Sequence, residues 1–184
     1  MKAVLISIQP KWCELIASGK KTVEVRKTAP KIATPFKVYI YCTSVKAMPL
    51  EEYVRIHRAT GGMIDDWHDN VIGEFVCRNI DFLSERDLFE GMDEISNSLI
   101  EEYSCLSIDE LLQYKGKKEE IYGWHISDLV IYDNPKELSE FSHTQEYINS
   151  IKNSVVHWEY GIDDEIWKPM KRPPQSWCYV EELR

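Results

Sequence analysis

"LISIQPKWCELIASGKKTVEVRK", residues 5–27, reads as a strand, a short helix, a glycine turn and a second strand. The β-rich run from Ala3 to Ile8 stops at Gln9-Pro10, the kind of boundary that ends a strand. Pro10 suits the first turn of a helix, where its missing N–H leaves no bond unmade. Trp12, Leu15 and Ile16 then fall at i, i+3 and i+4, on one helical face. Gly19 follows as a C-terminal cap, because glycine enters the left-handed region without steric cost. From Thr22 to Arg26 the period changes to two. Val23 and Val25 point one way, and Thr22, Glu24 and Arg26 the other. Lys21 shares the parity of the valines, so it joins Glu24 only by reaching in from the turn. Lys20, Lys21, Glu24 and Arg26 together fit either a solvated edge strand or the wall of a binding site.

Further β-type runs follow. "FKVYIYCT" (36–43) predicts a third strand and "NVIGEFVCRNIDF" (70–82) a long fourth one, with Gly73 marking a bulge or a close approach. "IYGWHISDLVIYD" (121–133) predicts a fifth and "SWCYVEEL" (176–183) a sixth. Between them, "PLEEYVRIHRA" (49–59) is amphipathic, and "ERDLFEGMDEISNSLIEEYS" (85–104) places Ile95, Leu99 and Tyr103 at helical spacing. Ser107 opens another helix, "IDELLQY", and Pro135 is expected to start a helix over "PKELSEFS". "KPMKRPPQ" (168–175) reads as an extended basic linker. Several β runs separated by short helices predict an α+β fold built on a small mixed β-barrel, not a doubly wound sheet.

Composition sets limits on function. With 43% hydrophobic and 29% charged residues the chain has the makings of a folded core. Its formal net charge of −9 excludes a protein that holds long nucleic acids by neutralising many phosphates. A nucleic-acid role would rest on a local basic pocket, or on stacking and hydrogen bonds to bases. Cys13, Cys42, Cys77, Cys105 and Cys178 are odd in number and widely spaced, without C-x-x-C or zinc-finger spacing. They predict structural thiols in a reduced, cytoplasmic protein. No run approaches the ~20 apolar residues of a membrane span, and the N-terminus lacks the pattern of a signal peptide. No cofactor, metal or membrane association is expected. The oligomeric state stays open.

The opening stretch, with "VYIYCT" (38–43), "VIGEFVC" (71–77), "YGWHISDLVIYDNPKEL" (122–138) and "RPPQSWCYVEEL" (172–183), resembles the ASCH domain family of the PUA-like superfamily, in the form of its larger bacterial and phage-type members. The resemblance covers 3–43, 70–82 and 121–183. It implies a single PUA-like pseudobarrel, with 44–69 and 83–120 as helical insertions. It also implies a cleft beside the first helix, lined by the G-x-K-x-x-E-x-R residues Gly19, Lys21, Glu24 and Arg26. Such proteins are expected to bind RNA or nucleoside-like small molecules. One branch deacylates N4-acetylcytidine with a lysine, a threonine three residues on and a downstream glutamate. Here the lysine position is Lys21, but Glu24 stands where that threonine would be. Amidohydrolase or nuclease chemistry by Lys21 and Glu24 is therefore a rival to simple binding, and a protein-interaction module is a third reading.

The residues themselves allow the same chemistry. Arg26 and Glu24 share a strand face; they either pair with each other or meet a ligand. Arginine offers a planar fork to phosphate or a carbonyl edge, and glutamate accepts from an exocyclic amine. Lys21 binds phosphate as a point charge or, if buried beside Trp12 and Trp124, acts as a base. Trp12, Trp124 and Trp177 are either core or stacking platforms. Glu74, after Gly73, either faces the cleft or stands exposed on its strand. His125 reads as a structural histidine. Ser176 and Cys178 have no base partner in sequence.

Overall fold

The computed structural model describes residues 1–84, 100–152 and 168–183. Its elements are β1 (Lys2–Ile8), α1 (Pro10–Ala17), β2 (Val23–Arg26), β3 (Phe36–Cys42), α2 (Leu50–Ala59), α3 (Ile64–Trp67), β4 (Val71–Ser84), α4 (Ile108–Lys115), β5 (Glu120–Lys136), a 3-10 turn (Leu138–Glu140), α5 (Gln145–Lys152) and β6 (Trp177–Glu181). The strands hydrogen-bond in the order β2-β5-β4-β3-β1-β6. β1 runs parallel to β3 and antiparallel to β6, and β2 runs antiparallel to β5. The sheet is mixed and the fold is α+β, as the sequence predicts. Of the helix expected over 85–104, residues 85–99 lie outside the described residues; 100–104 are helical.

The chain forms two compact units. The first comprises Met1–Pro10, Lys37–Glu74 and Ile131–Arg184. Its core gathers Leu5, Tyr39, Tyr41, Val71, Phe141, Met170 and Val180. β1 is buried along nearly its whole length, with β3 paired along one edge and β6 along the other. That explains its continuous apolar run, since a central strand covered on both faces needs no polar alternation. None of the five cysteines forms a disulfide.

Two local expectations for this unit are corrected. Pro135 starts no helix: it lies within β5, and the following turn begins at Leu138 behind a capping box between Glu137 and Glu140. A proline near a strand end removes no ladder bond that matters, so the local signal was for a boundary, not a helix. Nor is 168–175 a loose linker. Met170 is buried in the core and donates its N–H to the Phe141 carbonyl at 2.8 Å, and the Pro174 carbonyl accepts from Ser7 Oγ at 2.6 Å.

The second unit comprises Lys11–Phe36 and Phe75–Val130. Val25 from β2, Leu83 from β4, Leu111 from α4 and Ile121 from β5 make its core. Ser107 caps α4 in a reciprocal box: Glu110 N–H donates to Ser107 Oγ at 3.2 Å, and Ser107 N–H donates to the Glu110 carboxylate at 2.9 Å. Gly19 has φ +75° and ends α1 as the sequence predicts. Among the described residues no helix is long and apolar enough to cross a membrane, and no cluster of His, Cys, Asp or Glu has the makings of a metal site.

Candidate ligand-binding site

The turn after α1 positions Lys21. Its backbone N–H returns to the Leu15 carbonyl at 3.0 Å, so the chain end of α1 fixes where the lysine leaves the backbone. Thr22 then bonds both ways, donating to the Tyr103 carbonyl and accepting from Ile126 N–H, each at 2.9 Å. Lys21 reaches inward from this turn, as its parity requires. Its Nζ donates to the Ser104 carbonyl at 2.5 Å and lies 3.5 Å from Glu24 Oε2 and 5.1 Å from the centre of the Trp12 ring.

β2 presents Glu24 and Arg26 on one face. Register places Glu24 directly opposite Trp124 and Arg26 opposite Tyr122. Arg26 Nη2 meets Glu24 Oε1 at 3.0 Å. The side chains of Lys21, Glu24 and Arg26 are only 2%, 6% and 12% exposed, so the solvated-edge-strand reading does not hold. Both faces of this strand are covered, because Val25 packs into the core on the other side. Among the described residues, Glu24 Oε2 is buried without a hydrogen-bond donor. Lys21 supplies it with charge but no hydrogen bond. A buried acceptor in that condition is costly, by about 1–3 kcal/mol.

The tryptophans divide. Trp12 is half-buried and carries two cations over its ring, Lys21 and, at 4.2 Å, Lys11. Trp124 is wholly buried and meets Phe36 edge to face, with centroids 5.9 Å apart. It is a wall behind Glu24 and not an open stacking platform. Trp12, Lys21, Glu24, Arg26 and Trp124 thus belong to one unit.

Glu74 belongs to the other. It accepts from Lys37 Nζ at 2.9 Å and from Tyr132 Oη at 2.6 Å. Burial pulls its carboxyl upward, but these two donors and the charge of Lys37 outweigh it and hold the pKa below the ordinary value. Burial, and then the bond to Glu74, push Tyr132 well above the usual phenol range. This is a satisfied pair of bonds on a half-buried carboxylate. His125 is likewise satisfied, 2.5 Å from Asp81. Burial pushes the Cys178 thiol up to about 12, which leaves it no nucleophilic character at neutral pH.

Sequence reading missed Ser104, whose carbonyl holds Lys21, and Tyr114, which packs beside Arg26. Burial raises the Tyr114 pKa, and the Arg26 charge partly offsets it. Glu14 on α1 is a further carboxylate buried to 6% exposure. Amphipathicity alone gave one available signal, since Glu14 interrupts the apolar side of α1. Nothing in the sequence places the carbonyl of Ser104.

The ASCH domain family model matches residues 6–138. The crystal structure of ASCH from Zymomonas mobilis is similar at a TM-score of 0.55 and 19% identity, over 98% of this chain and 88% of that chain. A tyrosine-to-phenylalanine variant of the same Zymomonas mobilis protein gives 0.53 at 19% identity, over 99% of this chain and 92% of that chain. A serine-to-alanine variant gives 0.55 at 19%, over 98% and 89%. At such identity the likeness is one of fold. A search of curated proteins finds no match. The family's sequence pattern runs from β1 through β5 and includes the whole Lys21–Glu24–Arg26 stretch, and this chain belongs to the ASCH domain family.

Proposed function

We propose that this ASCH domain binds RNA or a nucleoside-like ligand through Lys21, Glu24 and Arg26. The observation that carries the reading is Glu24 Oε2, a buried oxygen 3.5 Å from Lys21, on a carboxylate whose other oxygen meets Arg26, and lacking a hydrogen-bond donor among the described residues. The exocyclic amine or ring N–H of a base is the donor such an oxygen would take. Trp12 supplies an aromatic edge to the same cluster. We further propose that the two units make up a single PUA-like domain with 44–69 and 83–120 as helical insertions. The five thiols support a reducing, cytoplasmic setting.

Hydrolysis of N4-acetylcytidine or of RNA is the rival, because Lys21 and Glu24 lie side by side. Titration with nucleosides and short single-stranded RNAs, followed by calorimetry and by assay for released acetate, separates the two. Binding without turnover, weakened roughly ten- to a hundredfold by Glu24→Gln, is the expected result. Binding through these three residues would neutralise few phosphates, so the salt slope should be only about one to three. Glu24→Gln protein that is folded and binds as the parent does would end this reading.

A further inference from the structure

A groove of about 810 Å³ lies in the first unit, among His143–Tyr147, Pro169–Pro174 and Trp177–Tyr179. Ligand sites typically span roughly 300–1,000 Å³. Trp177 and Tyr179 sit at i and i+2 on β6 and so share a face, with ring centroids 5.4 Å apart. His143 bridges to Val180 of the same strand, and its ring stacks on Tyr147 with centroids 4.4 Å apart and planes 29° apart. Burial holds His143 below the usual imidazole pKa, so at neutral pH that stack is uncharged.

The electrostatics are unlike the rest of the chain. In a protein of net charge −9, the stretch from Lys168 to Val180 contains Lys168, Lys171 and Arg172 and no acidic residue. Lys171 and Arg172 line the groove and are exposed. The groove's one carboxylate among the described lining residues, Glu146, is held by Lys2 at 2.5 Å. Lys2 also lies over the Tyr179 ring, 4.7 Å from its centre. The wall is built in advance of any ligand: Met170 is anchored in the core, Ser7 holds the Pro174 carbonyl, and Pro169, Pro173 and Pro174 stiffen this stretch.

We propose that this groove binds a nucleotide, its base against the rings of Tyr147 and Trp177 and its phosphate at Lys171 and Arg172, either free or as one unit of an RNA strand. Aromatic faces accept any base, and the arginine fork fits a phosphate. No residue of the Lys21 cluster takes part, so the two sites stand or fall separately.

Adenosine 5′-monophosphate, adenosine and a single-stranded RNA of about eight nucleotides are titrated into isotope-labelled protein, following the Trp177 indole signal, assigned with Trp177→Phe. The monophosphate should move that signal, and adenosine should bind more weakly. Tyr147→Ala should weaken the monophosphate roughly ten- to a hundredfold. Lys171→Ala with Arg172→Ala should abolish the advantage of monophosphate over adenosine. Tyr147 is 46% exposed and both cations are at the surface, so these variants should fold. Glu24→Gln should leave the Trp177 response intact. Tighter binding of the RNA than of the monophosphate assigns the site to a strand, and equal binding assigns it to free nucleotide. An indole signal unmoved by both, or folded Tyr147→Ala protein with unchanged affinity, overturns the proposal.

Discussion

Lys21 and Ser104 meet across 83 positions of sequence, ammonium to carbonyl, at 2.5 Å. The bond fastens the start of β2 to the end of the helical turn at 100–104. It also parks the lysine's charge beside a carboxylate that has no other charge partner on that oxygen. Removing the lysine therefore strands two acceptors at once.

Lys21→Met should destabilise the protein toward the lower end of about 3–5 kcal/mol, because Arg26 still pairs with Glu24 Oε1. The double variant Lys21→Met with Glu24→Gln should recover part of that loss, since the buried carboxylate is then neutral, although Arg26 loses its charged partner. Urea denaturation of the two singles and the double gives the coupling. Strict additivity would mean that the 3.5 Å approach carries no energy.

The Glu74 cluster makes stability depend on pH at both extremes. The Glu74 carboxyl lies below its ordinary value of 4.5, so its contribution is full above that value and fades as pH falls through the folded pKa. The bond to Glu74 raises Lys37 above 10.5, despite burial; its contribution is full below 10.5 and is lost as pH rises through the folded value. Denaturant midpoints measured across pH should show both limbs, and Glu74→Gln should flatten each. At neutral pH Tyr132→Phe should cost about 1.5–3 kcal/mol, the worth of a hydrogen bond to a charged group.

A β-carbon added at Gly123 would lie 3.1 Å from Val23 Cγ1. Gly123→Ala should therefore cost about 1 kcal/mol by overpacking at the β2–β5 pairing. Val23→Ala in the same protein should relieve the clash, so that the two losses add to less than their sum. Thermal melts of the three variants decide it.

Thiol reactivity should follow burial. Burial pushes Cys77 up to about 11 and Cys178 up to about 12, while Cys13 and Cys42 are fully buried. Cys105 and Cys178 are both half-exposed, but of these two the thiol pushed up by burial is Cys178, and the Cys105 sulfur is only loosely bonded to the carbonyls of Lys20 and Glu102. Iodoacetamide on native protein should label Cys105 first, and unfolding without reductant should release all five. Early labelling of Cys178 would contradict the packing of β6.

The punctuation of the opening stretch was legible: Pro10 starts α1, Gly19 ends it, and the valine alternation marks β2. Such features are written by neighbours within a few residues. The burial of Glu24 was not legible. Its depth is set by Trp124 across the ladder and by Ser104, 83 positions from the Lys21 it holds, both far away in sequence. The Glu74 cluster escaped for the same reason, since Lys37 and Tyr132 come from different strands. The basic stretch 168–175 was misread because proline and lysine signal exposure, while the one residue that decides its path, Met170, is a single apolar side chain without a period to betray it.

β1 and β6 are immediate neighbours in the sheet although nearly all of the intervening elements are made between them. During translation the backbone groups of Lys2–Ile6 that β6 satisfies have no partner until Trp177–Glu181 has left the ribosome. For that interval β1 is an apolar strand with a bare edge, the kind of template on which foreign strands add. Growing chains of this protein should thus lean on holdase chaperones until β6 arrives, and ribosome stalling before residue 177 should yield nascent chains that aggregate.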